Sequence, residues 1–135
     1  MANYVADLQP ELEVNYCRLV VVWTDDPAST RGVRQKLGAT FPFLCDRERK
    51  VIAELDIIDT TDVRHPRIAI PYTFVLDAER VIHKIYNGWW YVGRPTVEEL
   101  RMDLRALMAR RRDWWYDDTP APYAQTVKRA EGEET

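Results

Sequence analysis

Two cysteines, Cys17 and Cys45, are the side chains of this 135-residue sequence best suited to redox or nucleophilic chemistry. Sulfur reacts as the thiolate, and a thiolate needs positive charge or hydrogen-bond donors nearby. Cys45 precedes Asp46 and Arg47 at a predicted helix start, where backbone N–H groups and the helix dipole favour negative charge. Cys45 is therefore the candidate reactive thiol, although an unpaired cysteine more commonly serves as a small apolar side chain.

The other cysteine and the two histidines are weaker candidates. Cys17 begins a predicted buried strand and forms no C-x-x-C pair with Cys45, so two reduced thiols are expected. His65 lies in the loop before Pro71 and could reach a site beside it, whereas His83 occupies a predicted solvent-facing position of a strand. Neither histidine has metal-ligand spacing around it, so we expect no metal site, and no motif indicates a cofactor.

The composition is that of a globular protein, with 46% hydrophobic and 30% charged residues. A formal net charge of −3 argues against nucleic acid as a partner. No apolar run approaches the ~20 residues that a membrane span needs, and the first residues lack the pattern of a secretory signal. We therefore expect a cytoplasmic protein with one domain at residues 1–116 and a C-terminal tail at residues 117–135.

Hydrophobic periodicity predicts helices alternating with short strands, followed by a hairpin and a last helix. Residues 56–70 are polar and are predicted to be irregular. This order predicts an α/β fold with a sheet of mixed direction. The predicted elements are helices at 3–16, 27–37, 47–55 and 96–111, and extended segments at 17–23, 40–44, 72–77 and 81–86.

Several helix ends carry their own sequence signals. Asp26 before Pro27 predicts an N-cap, and Gly38 predicts a left-handed end to the same helix. The run from Thr96 to Glu99 is a capping box that starts the last helix. Pro10 inside the first periodic segment predicts either a kink or the true start of that helix.

Three motifs in this order resemble the second half of a peroxiredoxin, the family of alkyl hydroperoxide reductases and thiol-specific antioxidants. The first is Val-Trp-Thr-Asp-Asp-Pro at 22–27, a strand that ends in an aspartate. The second is the Phe-Pro-Phe-Leu-Cys-Asp turn within 37–49, and the third is Ile-Pro-Tyr-Thr-Phe-Val-Leu-Asp at 70–77. The resemblance covers residues 3–110, and the aromatic stretch at 85–95 is similar to that of a redoxin subgroup.

The resemblance implies a thioredoxin-like mixed sheet flanked by helices, missing the N-terminal central strand. It also implies an antioxidant oxidoreductase served by a thiol reductant protein. The segment that carries the family's peroxidatic cysteine would precede residue 1. Pro71 stands where typical peroxiredoxins have an arginine and where thioredoxins have a cis-proline, so it is assigned to the substrate face and the Ile70–Pro71 bond is predicted to be cis.

Two functions are compatible with these observations. The first is a redoxin-family antioxidant protein that is catalytically incomplete without the peroxidatic segment. The alternative is a non-catalytic thioredoxin-fold module for interaction or dimerisation, which uses its aromatic loop and tail. A missing central strand leaves the apolar edges at 19–22 and 74–76 unpaired, which predicts a homodimer or, as the alternative, direct pairing of those two strands.

Overall fold

The computed structural model describes residues 1–64, 67–88 and 93–110. The chain begins with a π-helical turn at Tyr4–Leu8 that continues directly into helix α1 at Gln9–Val14. Pro10 lies in the first turn of α1, where its missing N–H is not needed. Of the two predicted roles, Pro10 therefore marks the start of the α-helical part.

A strand–helix–strand unit follows. Strand β1 (Val21–Trp23) and strand β2 (Phe43–Cys45) are parallel, with Val22 opposite Leu44, and helix α2 (Pro27–Leu37) connects them. The predicted strand at 17–23 is shorter in the structure because the Cys17 N–H still bonds the Leu12 carbonyl, 3.0 Å away, as the chain leaves α1.

Helix α2 has the ends that the sequence predicts. The Asp26 carboxylate accepts hydrogen bonds from the N–H groups of Ala28 and Ser29, at 2.9 and 3.0 Å. Gly38 ends the helix with a φ of 69°, and its N–H bonds the Gln35 carbonyl. A left-handed residue at this position is least strained as glycine.

The middle of the chain contains two short strands that the sequence analysis missed. After helix α3 (Lys50–Glu54), strand β3 (Ile58–Asp59) pairs antiparallel with strand β4 (Ile68–Ala69). Residues 56–70 are therefore not wholly irregular. Two-residue strands leave no periodicity to detect in a polar segment.

The last part is an antiparallel hairpin covered by a helix. Strand β5 (Tyr72–Leu76) pairs with strand β6 (Ile82–Asn87), with a bulge between Val75 and Leu76, and helix α4 (Val97–Arg110) follows. The main hydrophobic core lies where α4, β5 and the N-terminal helical segment meet. Its buried residues are Tyr4, Leu8, Leu12, Val75 and Leu100.

The strands of residues 1–64, 67–88 and 93–110 form three separate two-stranded ladders. Among the described residues, β1 pairs with β2 alone and β5 with β6 alone, so the predicted alternative of direct pairing between the two flanking strands is not observed. No helix in this part of the chain is long and apolar enough to cross a membrane. The predicted boundary after residue 116 lies outside the described residues.

Candidate functional site

The candidate thiol lies at the carboxyl ends of the parallel strands, the edge where α/β proteins most often bind ligands. Cys45 ends β2 and lies opposite Trp23, the last residue of β1. Asp25 follows β1, and its carboxylate accepts a hydrogen bond from the Trp23 indole at 2.8 Å. The edge thus brings one exposed thiol beside an acidic turn.

Within the described part of the chain, the thiol of Cys45 has one hydrogen-bond partner, the backbone carbonyl of Asp25, with Sγ 2.7 Å from the oxygen. In this contact the S–H donates and the carbonyl accepts. A carbonyl oxygen offers no hydrogen to a thiolate, so the contact serves the protonated form of Cys45. A reactive thiolate would need donors at this position instead.

The amide donors expected beside Cys45 go to its neighbour. The N–H groups of Lys50 and Ile52 donate to the two carboxylate oxygens of Asp46, at 2.9 and 3.1 Å. Asp46 is buried, and its backbone carbonyl also accepts the Arg49 N–H. Asp46 therefore serves as the structural anchor of the start of α3.

The side chain of Arg49, near the thiol in sequence, is also directed elsewhere. Arg49 has a left-handed φ of 58°, and its side chain donates to the backbone carbonyls of Arg67 at 2.9 Å and Arg47 at 3.4 Å. These bonds tie the start of α3 to the segment before β4. The guanidinium of Arg49 thus connects the turn before α3 to the segment before β4. Helix α3 begins at Lys50, three residues later than the predicted start at Arg47.

Pro71 opens the hairpin, but the predicted cis bond before it is wrong. The Ile70–Pro71 bond is trans. The Ile70 N–H bonds the Ile57 carbonyl at 2.8 Å, and the Pro71 carbonyl accepts the Gly88 N–H at 2.9 Å. The chain therefore passes in extended form from β4 to β5, which suits the trans isomer that X–Pro bonds favour.

Cys17 belongs to the core side of the molecule. It packs against the hydrophobic core, and its Sγ donates to the Asn15 carbonyl at 3.2 Å. Burial raises the pKa of the Cys17 thiol. Cys17 is thus less available as a thiolate than a free cysteine in water.

The histidines are not brought together with either thiol in the described structure. His65 lies outside the described residues. His83 is half-buried rather than solvent-facing, and its Nδ1 lies 3.3 Å from Arg110 Nη1. No cluster of histidine, cysteine and acidic residues that could hold a metal ion occurs within residues 1–64, 67–88 and 93–110.

A buried polar network on α4 was missed by the sequence analysis. Asp103 is 7% exposed and accepts hydrogen bonds from the Tyr86 hydroxyl at 2.6 Å and from Lys84 at 3.4 Å. Desolvation, and then the bond to Asp103, raise the pKa of Tyr86. The sequence did contain a signal for this network. Asp103 follows Leu100 by three residues, which places it on the core-facing side of α4, where an acidic side chain needs a hydrogen-bond partner.

A second missed interaction joins the first helix to the last. The Arg101 guanidinium donates to Glu11 at 2.9 Å and to Glu98 at 3.2 Å. The bond to Arg101 holds the pKa of Glu11 below its usual value. A cavity of about 160 Å³ lies beside this pair. Its lining is half apolar, from Leu8, Leu12, Leu104 and Met108, and half polar, from Glu11, Asn15, Arg101 and Arg105.

Comparison with known proteins gives three findings. A model of the AhpC/TSA family matches residues 1–85 of this chain. Among solved structures, Mycobacterium tuberculosis AhpC superposes with a TM-score of 0.67 and 22% sequence identity, over 82% of this chain and 61% of that protein. No curated protein sequence matches. This chain thus spans under two thirds of its structural neighbour, and the predicted thioredoxin-like α/β fold class is confirmed.

Proposed function

We propose, from the premise that this chain belongs to the AhpC/TSA family, that it is a redoxin-family antioxidant-type protein without a thiolate prepared for peroxide reduction. The observation that carries the proposal is the contact of the Cys45 thiol with a backbone carbonyl, while Asp46 takes the neighbouring amide donors. The chain therefore combines the fold of the family with thiols that lack the hydrogen-bond donors a reactive thiolate needs.

Peroxide reduction makes clear demands on the sulfur. The thiolate attacks one peroxide oxygen and becomes a sulfenic acid, while the other oxygen leaves as an alkoxide and takes up a proton. Both charges need donors or cations at the sulfur. In the described part of the chain, the hydrogen-bond partner of each thiol is a carbonyl, of Asp25 for Cys45 and of Asn15 for Cys17.

Peroxide consumption by the 135-residue chain, with a dithiol or a thioredoxin-type protein as reductant, tests the proposal. We expect turnover far below the ~10 s⁻¹ that is typical of enzymes. Cys45→Ser should leave the residual rate unchanged, as should the matched control Cys17→Ser. Turnover near that typical value that is lost in Cys45→Ser but kept in Cys17→Ser would overturn the proposal and make Cys45 the nucleophile.

A specific observation favours the alternative, an interaction or dimerisation module. The face of the hairpin opposite α4 presents Leu76, Ile82 and Ile85, and Ile82 is 52% exposed. Apolar side chains grouped on one face are typical of surfaces that bind another protein. We propose that this face joins two copies in a homodimer. We also propose a cytoplasmic location, and the two free thiols support it because cytosolic cysteines are normally kept reduced.

Light scattering during size-exclusion chromatography tests the dimer. The wild-type chain should elute at twice its 15.9 kDa mass, and Ile82→Lys should shift it toward the monomer. The control is Val63→Lys, which adds the same charge at a loop side chain that is already 94% exposed. A wild-type monomer at micromolar concentration would contradict the homodimer.

A further inference from the structure

The cavity between the first and last helices is built from two helix faces. Its lining residues recur every three or four positions along each segment, which is the spacing of neighbours on one face of a helix. The N-terminal helical segment and α4 therefore supply one wall each. The lining residues are Leu8, Glu11, Leu12 and Asn15 on the first wall and Arg101, Leu104, Arg105 and Met108 on the second.

The apolar part of this lining suits a group of about the size of one ring. Leu8 and Leu12 are buried, at 2% and 7% exposure, and Leu104 and Met108 are half-buried. The volume of about 160 Å³ is close to the ~150 Å³ of an engineered apolar cavity, in another protein, that holds benzene. Met108 is flexible enough to adapt to the shape of such a group.

Two of the polar lining residues are already occupied by each other. The Arg101 guanidinium donates through Nε and Nη2 to the carboxylate of Glu11, and through Nη1 to Glu98 at 3.2 Å. The Glu11 oxygens therefore have a cation of their own, and most of the Arg101 donors are used. This pair forms part of the wall and offers little to a ligand.

Arg105, one turn further along α4, is in the opposite situation. It is exposed, and within residues 1–64, 67–88 and 93–110 its guanidinium has no hydrogen-bond or ion-pair partner. The bond from Arg101 is the main cause of the lowered pKa of Glu11, and Arg105 adds to it only at longer range. Asn15 gives one amide hydrogen to the Glu11 carbonyl at 2.9 Å and keeps a second. The rim of the cavity thus has spare donors and one unpaired cation.

We propose that this cavity binds a small carboxylic acid with one ring-sized apolar group. The carboxylate accepts hydrogen bonds from Arg105, whose planar fork of N–H groups matches two carboxylate oxygens. The apolar group lies against Leu8, Leu12 and Leu104. A cationic ligand finds no free acceptor at Glu11, and a neutral ligand leaves Arg105 unpaired. The small volume favours a free molecule over a longer protein segment, and the inference is independent of any peroxide chemistry.

The test uses the 135-residue chain with isotope-labelled methionine methyl groups, which give one NMR signal for each of the three methionines. Met108 lines the cavity, whereas Met102 is 62% exposed and does not. Phenylpropionate should shift the Met108 signal in a saturable way and leave Met102 unchanged. Phenylpropionamide, which has the same ring but no charge, should bind at least about tenfold more weakly, because it lacks the charge-assisted hydrogen bonds.

Two variants separate the charge from the apolar part of the site. Arg105→Gln removes the cation from an exposed position and should weaken phenylpropionate binding about tenfold. The matched control is Arg31→Gln, which removes an exposed arginine of α2 that does not line the cavity and should have no effect. Leu104→Phe fills part of the cavity and should also weaken binding. Circular dichroism checks that each variant is folded.

Four results would overturn the proposal. The first is the absence of a saturable Met108 shift in the folded wild-type chain up to the solubility limit of phenylpropionate. The second is equal binding of the acid and the amide. The third is unchanged binding in Arg105→Gln. The fourth is tighter binding of an acetylated peptide that ends in Gly-Gly-Phe, which would assign the cavity to the end of another protein chain. None of these measurements reads peroxidase turnover, so failure here and failure of the proposed function are distinguishable.

Discussion

The two halves of the molecule are held together by different kinds of interaction. In the ladder half, which comprises β1, α2, β2 and α3, the side-chain hydrogen bonds that shape the fold are mostly local. Nearby backbone N–H groups donate to the carboxylates of Asp26 and Asp46. In the hairpin half, which comprises the N-terminal helical segment, β5, β6 and α4, the core and the Asp103 network join segments distant in sequence. The local hydrogen bonds fix where individual helices begin, whereas the contacts between distant segments build the packed interior.

The largest expected loss of stability comes from a substitution in the core of the hairpin half. Leu100→Ala removes a buried side chain of α4 from the core cluster and should lower the free energy of unfolding by about 2–5 kcal/mol. Denaturant unfolding measures the change. Met102→Ala is the matched control on the same helix, because Met102 is 62% exposed, and it should change stability by less than about 0.5 kcal/mol. Equal effects of the two variants would contradict the assignment of the core.

A smaller effect is expected in the ladder half. Asp46→Ala leaves the buried N–H of Ile52 and the N–H of Lys50 without their acceptor, which should cost about 1–3 kcal/mol. Asp46→Asn keeps one carbonyl oxygen and should cost less. Thermal unfolding compares the two, with Glu48→Ala as a neighbouring exposed control. A loss as large as that of Leu100→Ala would show that the ladder half does not depend on local caps alone.

The smallest expected effect is the contribution of the Asp26 cap in the ladder half to the pH dependence of stability. Bonds from the Ser29 hydroxyl and then the Ser29 N–H lower the pKa of Asp26. A lowered folded-state pKa contributes stability that is present above the ordinary aspartate pKa and is lost as the pH falls through the lowered value. Asp26→Ala should reduce the melting temperature by a few degrees at neutral pH and flatten its decline in acid. An unchanged acid slope would contradict the role of this cap.

The sequence was most informative where local chemistry decides the structure. Both ends of α2 and the capping box before α4 were predicted, because Asp26, Gly38 and Thr96 act on amides or turns within a few residues. The fold class followed from the order of these elements and from the family resemblance. Predictions that depend on distant residues were less successful.

The errors have physical causes of the same kind. The predicted cis bond at Pro71 was carried over from a resemblance, whereas the extended passage between β4 and β5 depends on Ile57 and Gly88. The donors assigned to Cys45 belong to Asp46 because α3 begins at Lys50, after the left-handed Arg49. A shift of three residues in a helix start thus decides whether a thiol or a carboxylate receives the amides.

The hydroxyl of Tyr4 donates to the backbone carbonyl of Pro95, a contact between residues 91 positions apart. It has a consequence for the order of folding during synthesis. The N-terminal helical segment is synthesised long before α4. Its apolar face therefore cannot pack against α4 until that helix has been made. The strand–helix–strand unit needs contacts over only 22 positions, from Val22 to Leu44, and can close much earlier. The ladder half should therefore acquire its hydrogen-bonded backbone first, and the hairpin half only after α4 has been synthesised.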